Sequence, residues 1–184
     1  MNTDHKEKKK KTVGREILEW ILTIAAAVLI AMVIRTFIFE PVRVEGSSMD
    51  NTLADGEIMF VTKYDYIAGD PQRFDVVICR YPGRGSTNFV KRVVGLPGDT
   101  VELKDGYLYV NGEPYEEPYI SDEYRRGWQS DFGPFTVPEG QYFVMGDHRN
   151  NSNDSRSQGA LSRSMIVGHA RSVLFPFGSA RGIE

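Results

Sequence analysis

The sequence predicts a mostly β protein that begins with a single transmembrane α-helix, and three observations carry that prediction. An apolar run, residues 17–39, stands near the N-terminus with an uncharged centre at 20–34. Beyond it the apolar residues fall in short runs or at period two, over 58–63, 75–80, 89–94, 100–104, 107–110, 142–145 and 166–174. Two dipeptides, Asp105-Gly106 and Asn111-Gly112, are of the kind that closes two-residue β-hairpins.

Taken in order, the first fifteen residues carry Lys6, Lys8, Lys9, Lys10, Lys11 and Arg15 against Asp4 and Glu7, a net charge of +4. The whole chain sums to −3, so the remainder carries −7. A basic tip on an acidic body argues against nucleic acid as the main partner and suits a tail beside an anionic lipid bilayer. Residues 1–14 are polar enough to be expected disordered.

The run at 17–39 is 23 residues long. As a helix it rises ~1.5 Å per residue, enough for a hydrocarbon layer of ~30 Å with some tilt. Glu19 and Arg35 sit near its ends, where Arg35 can snorkel, and Trp20, Phe37 and Phe39 are placed as interfacial anchors. A buried core helix would show an apolar stripe, not apolar residues all round. A cleavable secretory signal would need a small-x-small site after the apolar core, where this chain has M-V-I-R-T-F-I-F-E-P. The reading is an uncleaved span with its N-terminus cytoplasmic and residues 40–184 outside.

Pro41 ends the helix. After it no stretch has sustained helical periodicity, and the two hairpin signals make 100–115 a small meander. The polar, aromatic segment 115–135 reads as a surface excursion. The predicted division is 1–15 basic tail, 16–40 span, 41–97 with 141–184 a β core, and 98–140 an inserted β subdomain.

Three blocks hold chemistry. The first is V-R-V-E-G-S-S-M-D-N-T-L, residues 42–53, with Ser47 and Ser48 behind Gly46. Serine attacks well at neutral pH only when a base takes its proton. Nine steps separate Phe39 from Ser48, so the serine lies within ~30 Å of the end of the apolar run.

The second is F-V-K-R-V-V-G-L-P-G-D, in which alternation puts Phe89, Lys91 and Val93 on one face. A lone lysine in a strand is ordinarily solvated. Apolar neighbours on both sides would instead desolvate Lys91 and lower its pKa, as a lysine base requires.

The third is M-G-D-H-R-N-N-S-N-D-S-R-S-Q-G, residues 145–159, a loop dense in side chains that bond their own backbone. Counting leaves open a Ser-His-Asp triad through His148 with Asp147 or Asp154, although adjacent side chains usually point apart. Cys79 is the only cysteine, so no internal disulfide forms, and mid-strand it reads as a small hydrophobe. It and the histidines outside the tail, His148 and His169, lack metal-site spacing, and no phosphate loop follows; no metal or other cofactor is expected.

Together the blocks resemble bacterial type I signal peptidases, in the same order and over nearly the whole chain. The resemblance implies a membrane-bound serine peptidase that releases signal peptides from exported preproteins after small residues. It implies Ser48 as nucleophile, Lys91 as base, Ser152 as the group orienting the lysine amine, and Asp154 and Arg156 as bracing. It implies an oxyanion hole from main chain at Ser48 and Gly46, and an extended substrate beside 42–45 and 88–90, with Val44, Glu45, Asn88, Phe89 and Val90 in contact. The sequence departs from the family pattern at Asn51, where a proline is usual, at Gly46, where some members have serine, and at His148 and Asn150. The rival readings are a Ser/Lys peptidase with a specialised substrate, such as a pilin, and a membrane-tethered β-module in which Ser48 is a plain turn residue.

Overall fold

In a computed structural model the described residues are 13–37, 39–85, 87–125 and 131–183. Most of the basic tail lies outside them. The chain forms two compact units, residues 1–37 and 38–184. The first is α1, Val13–Phe37, long and apolar enough to cross a membrane and exposing Trp20, Leu22 and Ile24 by more than half.

The regular structure of the second unit is mostly strand, as expected. Its elements are β1 (Phe39–Arg43), β2 (Ile58–Thr62), α2 (Asp65–Ala68), β3 (Val76–Cys79), β4 (Phe89–Gly95), β5 (Thr100–Lys104), β6 (Tyr107–Val110) and β7 (Glu113–Tyr115). There follow α3 (Asp122–Arg125), β8 (Phe132–Thr136), β9 (Gln141–Met145), α4 (Ser155–Gln158), β10 (Leu161–Ser162), β11 (Ile166–Phe175) and β12 (Arg181–Gly182). The helix stops two residues short of the apolar run. Phe39 begins a strand instead, because the residues flanking Pro41 are held extended and pair with β2.

Two antiparallel sheets result. The larger runs β1-β2-β11-β3-β4-β9-β10, with β12 on β11; the smaller runs β7-β6-β5-β8. The turns Asp105-Gly106 and Asn111-Gly112 have positive φ at both positions, the twist a tight hairpin needs. One apolar cluster joins Val44, Met49 and Leu53 to Met59, Val61, Val76 and Ile78; another joins Val94 and Phe143 to Val101, Leu103 and Leu108, bridging the sheets.

The segment 115–135 is more than a surface excursion. It supplies β8, and it buries Glu117 in ion pairs with Arg149 and Arg125. A carboxylate leaves water only against such partners. Arg125 belongs to the same segment, eight residues on, whereas Arg149 lies in another block of sequence.

Candidate active site

Met49 and Leu53, each 1% exposed, anchor the turn that carries Ser48. Backbone bonds tighten it: Asp50 N–H to the Ser47 carbonyl (3.1 Å), and Thr52 and Leu53 N–H to the Met49 carbonyl (3.0 and 2.8 Å). Asn51 sits at φ +81°. Proline, fixed near −65°, has no place in that conformation, and asparagine tolerates it better than most residues. Asn51→Gly is therefore expected to keep the melting temperature, whereas Asn51→Pro lowers it by several degrees in a thermal shift assay. Gly46, at φ +85°, likewise occupies a backbone region that strains a serine.

Opposite the turn, β4 delivers Lys91. Its Nζ lies 2.7 Å from Ser48 Oγ and donates to the Val90 carbonyl at 2.8 Å. Lys91 is 2% exposed, between Val77 of β3 and its own strand neighbours. Burial pushes its amine below the ordinary lysine value, against the opposing pull of Cys79, Asp154 and Asp147. The Cys79 thiol, buried nearby, is pushed up to about 12, which leaves it a neutral packing group.

The third block closes the site from behind. Asp154 caps α4 through the Arg156 N–H and takes two bonds from the Arg156 guanidinium, at 2.9 and 2.8 Å. It also accepts from Gly146 N–H at 3.1 Å. A Cβ on Gly146 would overlap Ser152 Oγ and the Ser48 carbonyl, so only glycine permits this approach. Ser152 is buried near that point. Among the described residues its Oγ meets no partner at good hydrogen-bond geometry, although it lies close enough to Asp154 to help lower that carboxyl, and the contacts of Lys91 Nζ are Ser48 and Val90.

Two expectations change. Gly46 N–H donates to Asp55 Oδ1 at 2.8 Å and is thus occupied, whereas no bond engages Ser48 N–H among the described residues. The triad geometry is not formed either. Asp147 is held by Arg92 (3.0 and 2.9 Å) and Thr52, and the His148 ring faces Ser47 and Asp50, not Ser48 Oγ.

A cleft of about 600 Å³ leads to Ser48 and Lys91. Val44, Glu45, Asn88, Phe89 and Val90 all line it. Among the described residues β1 pairs only with β2, and β9 pairs only with the later part of β4, Arg92 onward. The cleft is therefore flanked by two unpaired strand edges. The sequence did not point to Arg92, Tyr119 or Glu117, and it raised Asp147 only as a triad partner of His148. Arg92 is fully buried, bridges Asp147, Thr52 and the Phe74 carbonyl, and lies 3.8 Å from the Tyr119 ring centroid.

A serine hydroxyl against a buried lysine amine, at the foot of a strand-edged cleft, is an arrangement chemically capable of acyl transfer. The model of the family described as signal peptidase, peptidase S26, matches residues 17–175. The chain belongs to that family. It is a serine peptidase, a hydrolase. The peptidase is similar at 45% identity to signal peptidase I T of Bacillus subtilis strain 168, over 98% of this chain and 95% of that one. It is 44% identical to a signal peptidase I of Bacillus licheniformis, over 95% and 97%, and 38% identical to signal peptidase IB of Staphylococcus aureus strain COL, over 89% and 92%. A crystal structure of a signal peptidase I from Enterococcus faecalis V583 is 37% identical, covering 55% of this chain and 97% of that one, with a TM-score of 0.48.

Proposed function

We propose that the peptidase is a type I signal peptidase that cuts signal peptides from exported preproteins with a Ser48/Lys91 dyad. The observation that carries the reading is the 2.7 Å separation of Ser48 Oγ from an amine that burial biases toward its neutral form. A neutral amine has two N–H groups and one lone pair. One N–H is spent on Val90, and the lone pair is left to accept the serine proton.

Ser48 Oγ then attacks the scissile carbonyl. The Ser48 N–H meets the developing oxyanion, a contact of a kind worth ~2.7–4 kcal/mol. The ammonium formed on Lys91 protonates the leaving amine. Lys91, neutral again, draws the proton from the water that hydrolyses the acyl-enzyme.

The substrate binds extended, adding a strand between residues 42–45 and 88–90, where Val44, Glu45, Phe89 and Val90 meet its side chains. Small residues at the first and third positions before the cut fit that reading. Asp154 and Arg156 brace the loop behind Ser48, and Ser152, by the family resemblance, orients the amine.

α1 is the anchor in this reading, its basic tail cytoplasmic and residues 41–97 and 141–184 forming an extracytoplasmic catalytic core around the insert 98–140. A preprotein held by its own apolar segment in the same bilayer meets the site at raised effective concentration, so the cleft does not have to bind tightly.

The test is cleavage of a preprotein by detergent-solubilised wild type, Ser48→Ala and Lys91→Ala; cleavage by Ser48→Ala ends the proposal. The pH–rate profile follows from the same burial. The active form is deprotonated Lys91, so kcat/KM rises with pH through the Lys91 value and levels off above it. Because burial lowers that value, the rise centres below the ordinary lysine pKa of 10.5. A rise centred at or above 10.5 would mean a solvated lysine.

A further inference from the structure

Among the side chains that hold the nucleophile turn from outside, His148 bonds the residues on either side of Ser48, and the proposed dyad does not use it. His148 N–H donates to the Ser48 carbonyl at 3.1 Å. The ring returns to the same turn: its Nδ1 lies 3.0 Å from the Ser47 carbonyl and 3.3 Å from Asp50 Oδ2. Both are acceptors, so Nδ1 carries a hydrogen. On the other side the Tyr124 ring of α3 stacks on the imidazole, centroids 3.8 Å apart and planes at 21°. The imidazole is thus clamped between α3 and the turn, with its side chain 15% exposed.

The arrangement matters because of what the turn lacks. Asn51 at φ +81° leaves it without a proline ring to stiffen it. Near Ser48 its partners across the gap include residues 148–151, with Asn151 Nδ2 donating to Ser47 Oγ at 2.9 Å. That loop is itself fixed by Arg149 Nε on the Gly146 carbonyl and by Asn150 Nδ2 on the Glu123 carbonyl.

We infer that His148 is a positioning residue for Ser48: its Nδ1–H, backed by Tyr124, holds the Ser47 carbonyl and so keeps Ser48 Oγ in line with Lys91 Nζ. The inference rests on the reading of Ser48 as nucleophile. Displacements of about 1 Å at a reacting group cost on the order of 100-fold in rate.

The test uses three variants of the full chain in detergent, assayed on one preprotein. An asparagine side chain places its amide nitrogen where histidine has Nδ1; a glutamine places it near Nε2. His148→Ala is expected to lower kcat ~10–100-fold with KM within about twofold, since His148 does not line the cleft. His148→Asn restores kcat to within about threefold of wild type, and His148→Gln stays as low as alanine.

Equal kcat for the Asn and Gln variants, a rise in KM at constant kcat, or an alanine variant within twofold of wild type would each overturn the inference. If His148→Ala does not fold, the Asn–Gln comparison still decides. Ser48→Ala run alongside separates the two levels: activity there removes the nucleophile assignment itself, whereas its loss with full activity of His148→Ala removes only the clamp.

Discussion

Lys91→Ala is expected to lower kcat/KM by roughly 10⁴-fold or more, Ser48→Ala by as much, and the double variant by no more than either alone. The reason for the last outcome is that, in the proposed mechanism, the two groups perform one step. Once the hydroxyl has no base, losing the hydroxyl as well changes little, and effects of residues acting as a unit do not add. Lys91→Arg should not rescue, because a guanidinium stays charged under all assay conditions and has no lone pair to accept the proton.

Far-UV circular dichroism of Lys91→Ala should match wild type. The strand around it is fixed by pairing with β3 and by Val93 and Val94, both fully buried. A preprotein cleavage assay at matched concentrations reads the result. Residual activity of Lys91→Ala within tenfold of wild type would remove the base from the mechanism, whatever Ser48 does.

Phe89 and Val93 flank Lys91 on the same face and raise the idea of burial, but a lone strand lysine is ordinarily solvated, and it took the family resemblance to single Lys91 out. Arg92, one residue on, was illegible. Its burial depends on Asp147, 55 positions away, and on a carbonyl and an aromatic ring from two further segments. Local alternation carries no trace of such partners.

The same limit explains Glu117. In sequence it belongs to a polar stretch, and only the fold brings Arg149 and Arg125 around it. β1 was missed because Pro41 marks a helix end and also demotes a strand; at a sheet edge the missing N–H is harmless. The hairpins, by contrast, were fully legible, because Asp-Gly and Asn-Gly specify backbone angles without help from elsewhere.

At the site, the family resemblance picked out Ser48 and Lys91, and the fold brings them within hydrogen-bond reach. It could not foresee that Gly46 N–H would be taken by Asp55, or that His148, a departure from the pattern, would face the turn.

Asp154→Ala should be the most destabilising of the changes considered, by about 3–5 kcal/mol, the range for removing one partner of a buried ion pair. Asp154 and Arg156 have side chains 0% and 1% exposed. Without the carboxylate, Arg156 keeps its bond to the Arg149 carbonyl but loses its counter-charge, and α4 loses its cap. Gly146 N–H loses its acceptor, and the Ser48 carbonyl packs close to that glycine. The damage therefore reaches Ser48, the proposed nucleophile.

The pH dependence has a definite sign. Burial alone would raise the Asp154 carboxyl, but the Arg156 contacts, with the Gly146 N–H, hold it below the ordinary value of 3.8. A depressed folded value means that the stabilisation is complete above the unfolded value and fades as pH falls through the folded one. The gap in melting temperature between wild type and Asp154→Ala should thus be constant from neutral pH down to about 5, on the order of 10 °C. Below about 4 it should narrow, as wild type itself loses the charge. A gap that is small at neutral pH, or that widens on acidification, would mean that the carboxylate contributes little to holding the loop behind Ser48.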